Sequence, residues 1–164
     1  MEFIEQTTKW GLGDALQGKL MIAMGVTSLI FMFLIFKSEN GILKGMLIPL
    51  GILMLIGIGY GGFLSFSRPG HVVNASEMYQ TKPQLAVEQE LLKAERDNKN
   101  YSIIIKVWPV SMAITALLLF FFHGDYARGL LMGLLVLFVF GLLVDTFLHQ
   151  RLEPYLELLQ RLNK

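Results

Sequence analysis

The sequence predicts an all-α, polytopic membrane protein: four transmembrane helices arranged as two hairpins, with short amphipathic cytoplasmic helices. Three observations predict it. Hydrophobic residues make up 54% of the 164 positions, and setting aside the 5 tyrosines while adding the 16 glycines raises this to about 61% apolar, against ~45–50% in soluble domains. Charged residues are only 16% and mean hydropathy is +0.54, so the chain uses lipid as part of its solvent. The apolar residues also gather into four runs near the roughly 17–25 residues that a helix needs to cross a ~30 Å hydrocarbon core.

Residues 1–19 scatter Phe3, Ile4, Trp10, Leu12 and Leu16 among polar positions. This reads as a helix lying on the membrane face with Trp10 as an interfacial anchor. Glu2 and Glu5 stand where a signal peptide would be basic, so the first span is expected to be retained. The spans are 20–36, 46–66, 103–122 and 129–148, the third containing Lys106, whose stem can snorkel to the interface. Ser67-Arg68-Pro69-Gly70 is expected to stop the second span. It opens a cytoplasmic loop, 67–102, that carries a helix from Pro83 to about Asn98, proline being favourable in a first turn. In the tail, 149–164, Leu152, Tyr155, Leu156, Leu159 and Leu162 make one helical stripe. That stripe needs an apolar partner: the bilayer surface, the loop helix or another subunit.

Of the 14 Lys and Arg residues, only Lys37, Lys44 and Arg128 fall in the two short loops. The positive-inside rule then places both termini and the middle loop in the cytoplasm, with a bacterial inner membrane as the expected location. The halves carry a weak repeat. Gly45 and Gly57 in the first are matched by Gly129 and Gly141 in the second, with the same spacing of twelve, which implies a pseudo-two-fold axis along the membrane normal.

The composition also removes function classes. A net charge of +1 offers no field for nucleic acid. The absence of cysteine excludes disulfides, thiolate catalysis and Cys-ligated metals. No phosphate-binding glycine loop, serine elbow or His-Glu-x-x-His motif occurs, and no cofactor or metal is implied. Ile58-Gly59-Tyr60-Gly61 resembles the filter of potassium channels over four residues. Gly57 stands where that filter has a hydroxyl residue, and the chain turns polar at Ser67, so the resemblance stops there. Gly57 and Gly61, like Gly129 and Gly133, instead have the spacing that lets helix backbones approach closely in lipid.

Asp145 is the one acidic side chain inside a span, and a carboxylate there needs a partner or a function. Asp145, His149 and His71 are the candidate catalytic residues, able to relay a proton at the cytoplasmic edge. Tyr60, Arg68 and Arg151 are the candidate ligand-binding residues, the arginines suited to an anionic headgroup. The structural alternative pairs Asp145 with Arg68 or Arg151. Three functions are carried forward. The first is a non-enzymatic accessory, regulatory or immunity-type subunit acting through association with itself or with a membrane or cytoplasmic protein. The second is a binding protein or enzyme for a lipid headgroup or small amphiphile at the cytoplasmic edge. The third is a homo-oligomeric channel lined by Thr27, Ser28, Ser111 or Thr115, or by the glycine face.

Overall fold

The computed structural model describes all residues, Met1–Lys164, and consists of four helices: α1 (Glu2–Phe36), α2 (Gly41–Thr81), α3 (Pro83–Phe121) and α4 (Asp125–Leu162). All four are long and apolar enough to cross a membrane. With 35 to 41 residues each and a rise of 1.5 Å per residue, they run for about 55–60 Å, nearly twice a hydrocarbon core. Each helix therefore has an apolar half of spanning length and a polar half that continues beyond it.

That continuity corrects three expectations. The N-terminal segment is not a separate surface helix but the first half of α1, the 67–102 stretch is not a loop but the adjoining ends of α2 and α3, which meet at Lys82, and the tail continues α4. Pro69 and Gly70 lie inside α2. A proline in a helix interior costs roughly 3 kcal/mol, and burial on either side offsets it: Leu64 is fully buried, and Val72 and Ala75 pack below the exposed surface. Trp10 is likewise no interface anchor. Its ring is 4% exposed and stacks on Tyr155 at 4.9 Å, because the polar halves form an aqueous-type core of their own.

That core is built from Phe3, Trp10, Val87, Leu91, Leu152 and Leu156 with their neighbours. The tail stripe thus finds its apolar partner in α1 and α3 of the same chain. The apolar halves pack differently. Their large side chains face outward, Phe33 at 71%, Phe66 at 84% and Phe120 at 76% exposure, and the helices meet through glycine. A Cβ on Gly57 would lie 2.7 Å from the Met21 carbonyl oxygen, and one on Gly61 2.7 Å from that of Gly18, both on α1. Lipid offers no hydrophobic drive for association, so close backbone contact supplies the packing.

The two halves of the chain follow one plan at an offset of 84 residues. α4 begins 84 positions after α2. The buried Leu53, Leu64, Val72 and Ala75 of α2 correspond to the buried Leu137, Leu148, Leu156 and Leu159 of α4, and Phe3, Thr7 and Trp10 of α1 to Val87, Leu91 and Ala94 of α3. The contact between the halves is reciprocal: a Cβ on Gly45 would meet the Tyr126 carbonyl, and one on Gly129 the equivalent carbonyl of Ile42. Gly133 meets Pro49 in the same seam. α1 packs along α2 and α3 along α4, α2 and α4 touch across the middle, and α1 and α3 meet only through side chains in the polar core, without close backbone approach.

Candidate functional site

Because α3 packs chiefly on α4 and only sparsely on α2, a cleft of about 570 Å³ opens between α2 and α3 where the polar and apolar halves join. Helical periodicity sets its walls. Tyr60, Phe63, Ser67, Arg68 and His71 repeat every three to four residues along α2, while Lys93, Arg96, Asp97, Asn100, Tyr101 and Ile104 do so along α3. Asp145 of α4 closes the floor. The volume suits a small ligand or a headgroup with its first methylenes.

The cationic end is built around Arg68. Its residue is 8% exposed, its guanidinium carbon lies 4.4 Å above the Trp10 ring, and its Nε is 3.3 Å from Asp14 Oδ2. That ion pair lacks hydrogen-bond alignment, leaving Arg68 Nε and Asp14 Oδ1 buried without a hydrogen-bonding partner. Arg151 Nη1 approaches Asp14 Oδ1 from the other side at 3.5 Å. Burial pushes the Asp14 carboxyl up from 3.8 to about 6, while Arg68 and Arg151 pull against that rise.

Beside Arg68 runs a buried polar chain. Thr7 Oγ1, which donates to the Phe3 carbonyl at 2.7 Å, lies 3.3 Å from the Tyr155 hydroxyl; that hydroxyl donates to Glu90 Oε2 at 2.9 Å, and His71 Nε2 lies 2.9 Å from the same oxygen. Lys93 Nζ sits 3.3 Å from both ring nitrogens of His71. Burial pushes the Glu90 carboxyl up, but the hydrogen bonds from His71 and Tyr155 outweigh it, so the net shift is downward and Glu90 holds its charge. Burial lowers Lys93 and raises Tyr101 and Tyr155, keeping both phenols neutral donors. The arrangement orients His71 between Glu90 and Lys93, and the neighbouring Ser67 hydroxyl donates back to the Phe63 carbonyl at 2.6 Å.

The candidate residues are therefore divided. Tyr60, Arg68, His71 and Asp145 share the cleft. His149 lies outside it, 3.6 Å from Glu153 and edge-on to Tyr101, and Arg151 faces the opposite side of the bundle. Asp145 pairs with neither arginine. Its Oδ2 accepts from Trp108 Nε1 at 2.6 Å, and that indole is seated against Gly141, where a Cβ would lie 2.9 Å from the ring. The arginines converge instead on Asp14, which sequence reasoning passed over. The signal available was an acid at the edge of the first span amid Gly11, Gly13, Ala15 and Gly18, small residues that bring a neighbouring helix within reach. Lys93, Arg96 and Tyr101 also line the cleft, and nothing in the sequence of the 67–102 stretch marks them as a site. No three His, Asp or Glu side chains converge as a metal site.

A second cleft, of about 540 Å³, lies between α1 and α4. It is the pseudo-symmetric counterpart of the first. Gly13, Leu16, Gln17 and Leu20 stand 84 positions before Asp97, Asn100, Tyr101 and Ile104, and Val144, Phe147 and Arg151 stand 84 after Tyr60, Phe63 and Ser67. Its lining is predominantly apolar.

No protein-family model, curated protein or solved structure matches the chain.

Proposed function

We propose that this protein binds the anionic headgroup of a membrane amphiphile in the α2/α3 cleft, at the cytoplasmic edge of a bacterial inner membrane, its two hairpins arising from duplication and both termini facing the cytoplasm. The observation that carries the reading is Arg68: a residue more than nine-tenths buried that lines the cleft and whose pairing with Asp14 leaves Nε without an aligned hydrogen bond. A buried guanidinium with incomplete hydrogen bonding is costly, and an anionic occupant of the cleft would add acceptors for its remaining N–H groups. Lys93, Arg96 and His71 add donors around it, and Phe63 and Ile104 line the cleft on the apolar side, where a chain would leave toward lipid.

The association reading drew on the tail stripe, of which Leu152, Tyr155, Leu156 and Leu159 lie in the chain's own core and only Leu162 stays exposed. The pore reading drew on span hydroxyls, which bond to helix carbonyls: Thr27 to Ala23, Ser28 to Leu50 and Thr115 to Ser111. Both observations favour the binding reading over its alternatives.

The test uses the full chain in phosphatidylcholine nanodiscs with phosphatidic acid as the anionic probe. Phosphatidic acid is expected to bind well above the phosphatidylcholine background. Arg68→Gln should weaken it by at least about tenfold, the scale of one charge-assisted hydrogen bond, and the exposed Arg96→Gln by less. Equal affinity for the two lipids, or no effect of either substitution, rejects the reading.

A further inference from the structure

The cleft is bipolar, and this specifies its ligand more narrowly. At the polar end stand Arg68, Lys93, Arg96 and His71, in excess over the one carboxylate there, Asp97; toward the apolar end stands Asp145, which shares a second, smaller hollow with Tyr60 and Trp108. Asp145 Oδ2 is engaged by Trp108, and Oδ1 makes no hydrogen bond within the protein. The residues at the pseudo-equivalent positions of the other cleft are instructive. Leu152 stands where Arg68 would be and Gly61 where Asp145 would be, so the other cleft, whose one charged lining residue is Arg151, has no inner carboxylate to set against a cation.

Resting on the reading above, we propose that the ligand is an amphiphile whose outermost group is a phosphate monoester and whose next polar group inward is a hydrogen-bond donor, a hydroxyl or an ammonium, received by Asp145. The order of charges sets the order of groups. A phosphodiester with a cationic terminus, as in phosphatidylcholine, presents the reverse polarity and sets a positive group against Arg68 and Lys93. The cleft is also longer than a phosphate: its α2 wall from Tyr60 to Arg68 covers eight residues, about 12 Å of helical rise. Tyr101, held neutral by burial, adds a donor along the way. The class is that of lysophosphatidic acid and the sphingoid base phosphates.

The experiment titrates four probes into the full chain in phosphatidylcholine nanodiscs: 1-oleoyl lysophosphatidic acid, oleyl phosphate, 1-oleoylglycerol and sn-glycerol 3-phosphate. Lysophosphatidic acid is expected to bind at least tenfold more tightly than oleyl phosphate, which has the same charge and no donor, and both should exceed the other two. Asp145→Ala should erase the difference between the first two while leaving oleyl phosphate unchanged, and Arg68→Gln should weaken both alike. Asp145→Asn keeps an acceptor for Trp108 and guards against misfolding; it should reduce binding of sphinganine 1-phosphate, whose ammonium needs the carboxylate charge, more than that of lysophosphatidic acid. Equal binding of lysophosphatidic acid and oleyl phosphate overturns this inference and leaves the anionic-amphiphile reading standing. Failure of both to bind overturns that reading as well. Glycerol phosphate binding as tightly as lysophosphatidic acid shows a soluble ligand and overturns the amphiphile.

Discussion

The two clefts occupy equivalent places in a repeated plan, yet one is lined largely with charged and polar side chains and the other chiefly with hydrocarbon. Phe63 and Phe147 hold the same position in both, as do Ile104 and Leu20. The differences are concentrated at the polar ends: Arg68 against Leu152, His71 against Tyr155, Asp97 against Gly13. One helical plan therefore supplies the concavity, and a few side chains decide what enters it. Asp14 lies between the two, its carboxylate shared by Arg68 of the charged cleft and Arg151 of the apolar one. A change in the charge of either arginine is felt by the same buried group.

The comparison breaks most severely if the charged cleft is made to resemble its counterpart. Arg68→Leu, which imports the residue of the equivalent position, leaves Asp14 buried with Arg151 alone. Removing one member of a buried pair costs about 3–5 kcal/mol, measured as a fall in the midpoint of thermal or denaturant unfolding. Adding Asp14→Asn removes the orphaned charge and should restore much of the loss. If the double variant is no more stable than Arg68→Leu alone, Asp14 is not the coupling group.

A smaller effect comes from pH. A carboxyl whose folded value is about 6 against an ordinary 3.8 binds its proton more tightly when folded, so the associated stability is fully present below about pH 4 and is lost as pH rises through about 6. The shift corresponds to at most about 3 kcal/mol. Glu90 acts with the opposite sign: its lowered value contributes stability above the ordinary carboxylate range and loses it as pH falls below that range. Between pH 6.5 and 5 the Asp14 contribution dominates, so acidification over that interval should stabilise the protein, and Asp14→Asn should abolish the slope. A wild-type midpoint that falls from pH 6.5 to 5 contradicts this.

The smallest effect distinguishes the equivalent glycines. A methyl on Gly57 meets the backbone of α1 at Met21 and Gly25, which cannot yield without moving the helix, whereas one on Gly141 meets the six-membered ring of Trp108, which can tilt. Gly57→Ala should cost about 1–3 kcal/mol, the range of overpacking, and Gly141→Ala less. Gly141→Ala should instead disturb the Trp108 to Asp145 hydrogen bond, seen as a change in tryptophan emission that Gly57→Ala does not produce.

Much of this organisation was legible in sequence. The four spans follow from apolar runs alone, since a bilayer selects on length and hydropathy. The repeat was visible in Gly45, Gly57, Gly129 and Gly141, and the stripe of Leu152, Tyr155, Leu156 and Leu159 announced a buried face without naming its partner. Two readings failed for one reason. Pro69 and Trp10 were judged by local rules, as a helix stop and an interface anchor, and each was overruled by burial that only long-range packing creates. The role of Asp14 was hidden similarly. The nearest bases in sequence, Lys9 and Lys19, stand five residues away, off the three- and four-residue spacing of helix neighbours, and Arg68 and Arg151 come to it from α2 and α4.

By itself the sequence determined that this chain lives in a membrane, how many times it can cross, and which of its residues carry charge near the membrane edge, because those properties depend on composition and periodicity along the chain. Only the tertiary structure decided that the polar segments extend the spanning helices into a bundle with its own core. Only it decided that Arg68 answers to Asp14 rather than Asp145, and that two equivalent clefts face opposite sides of the bundle. Those outcomes depend on which helix faces meet. In the polar half burial of large side chains selects the pairing, and in the apolar half close glycine contact does so, and both are settled between residues tens to more than a hundred positions apart.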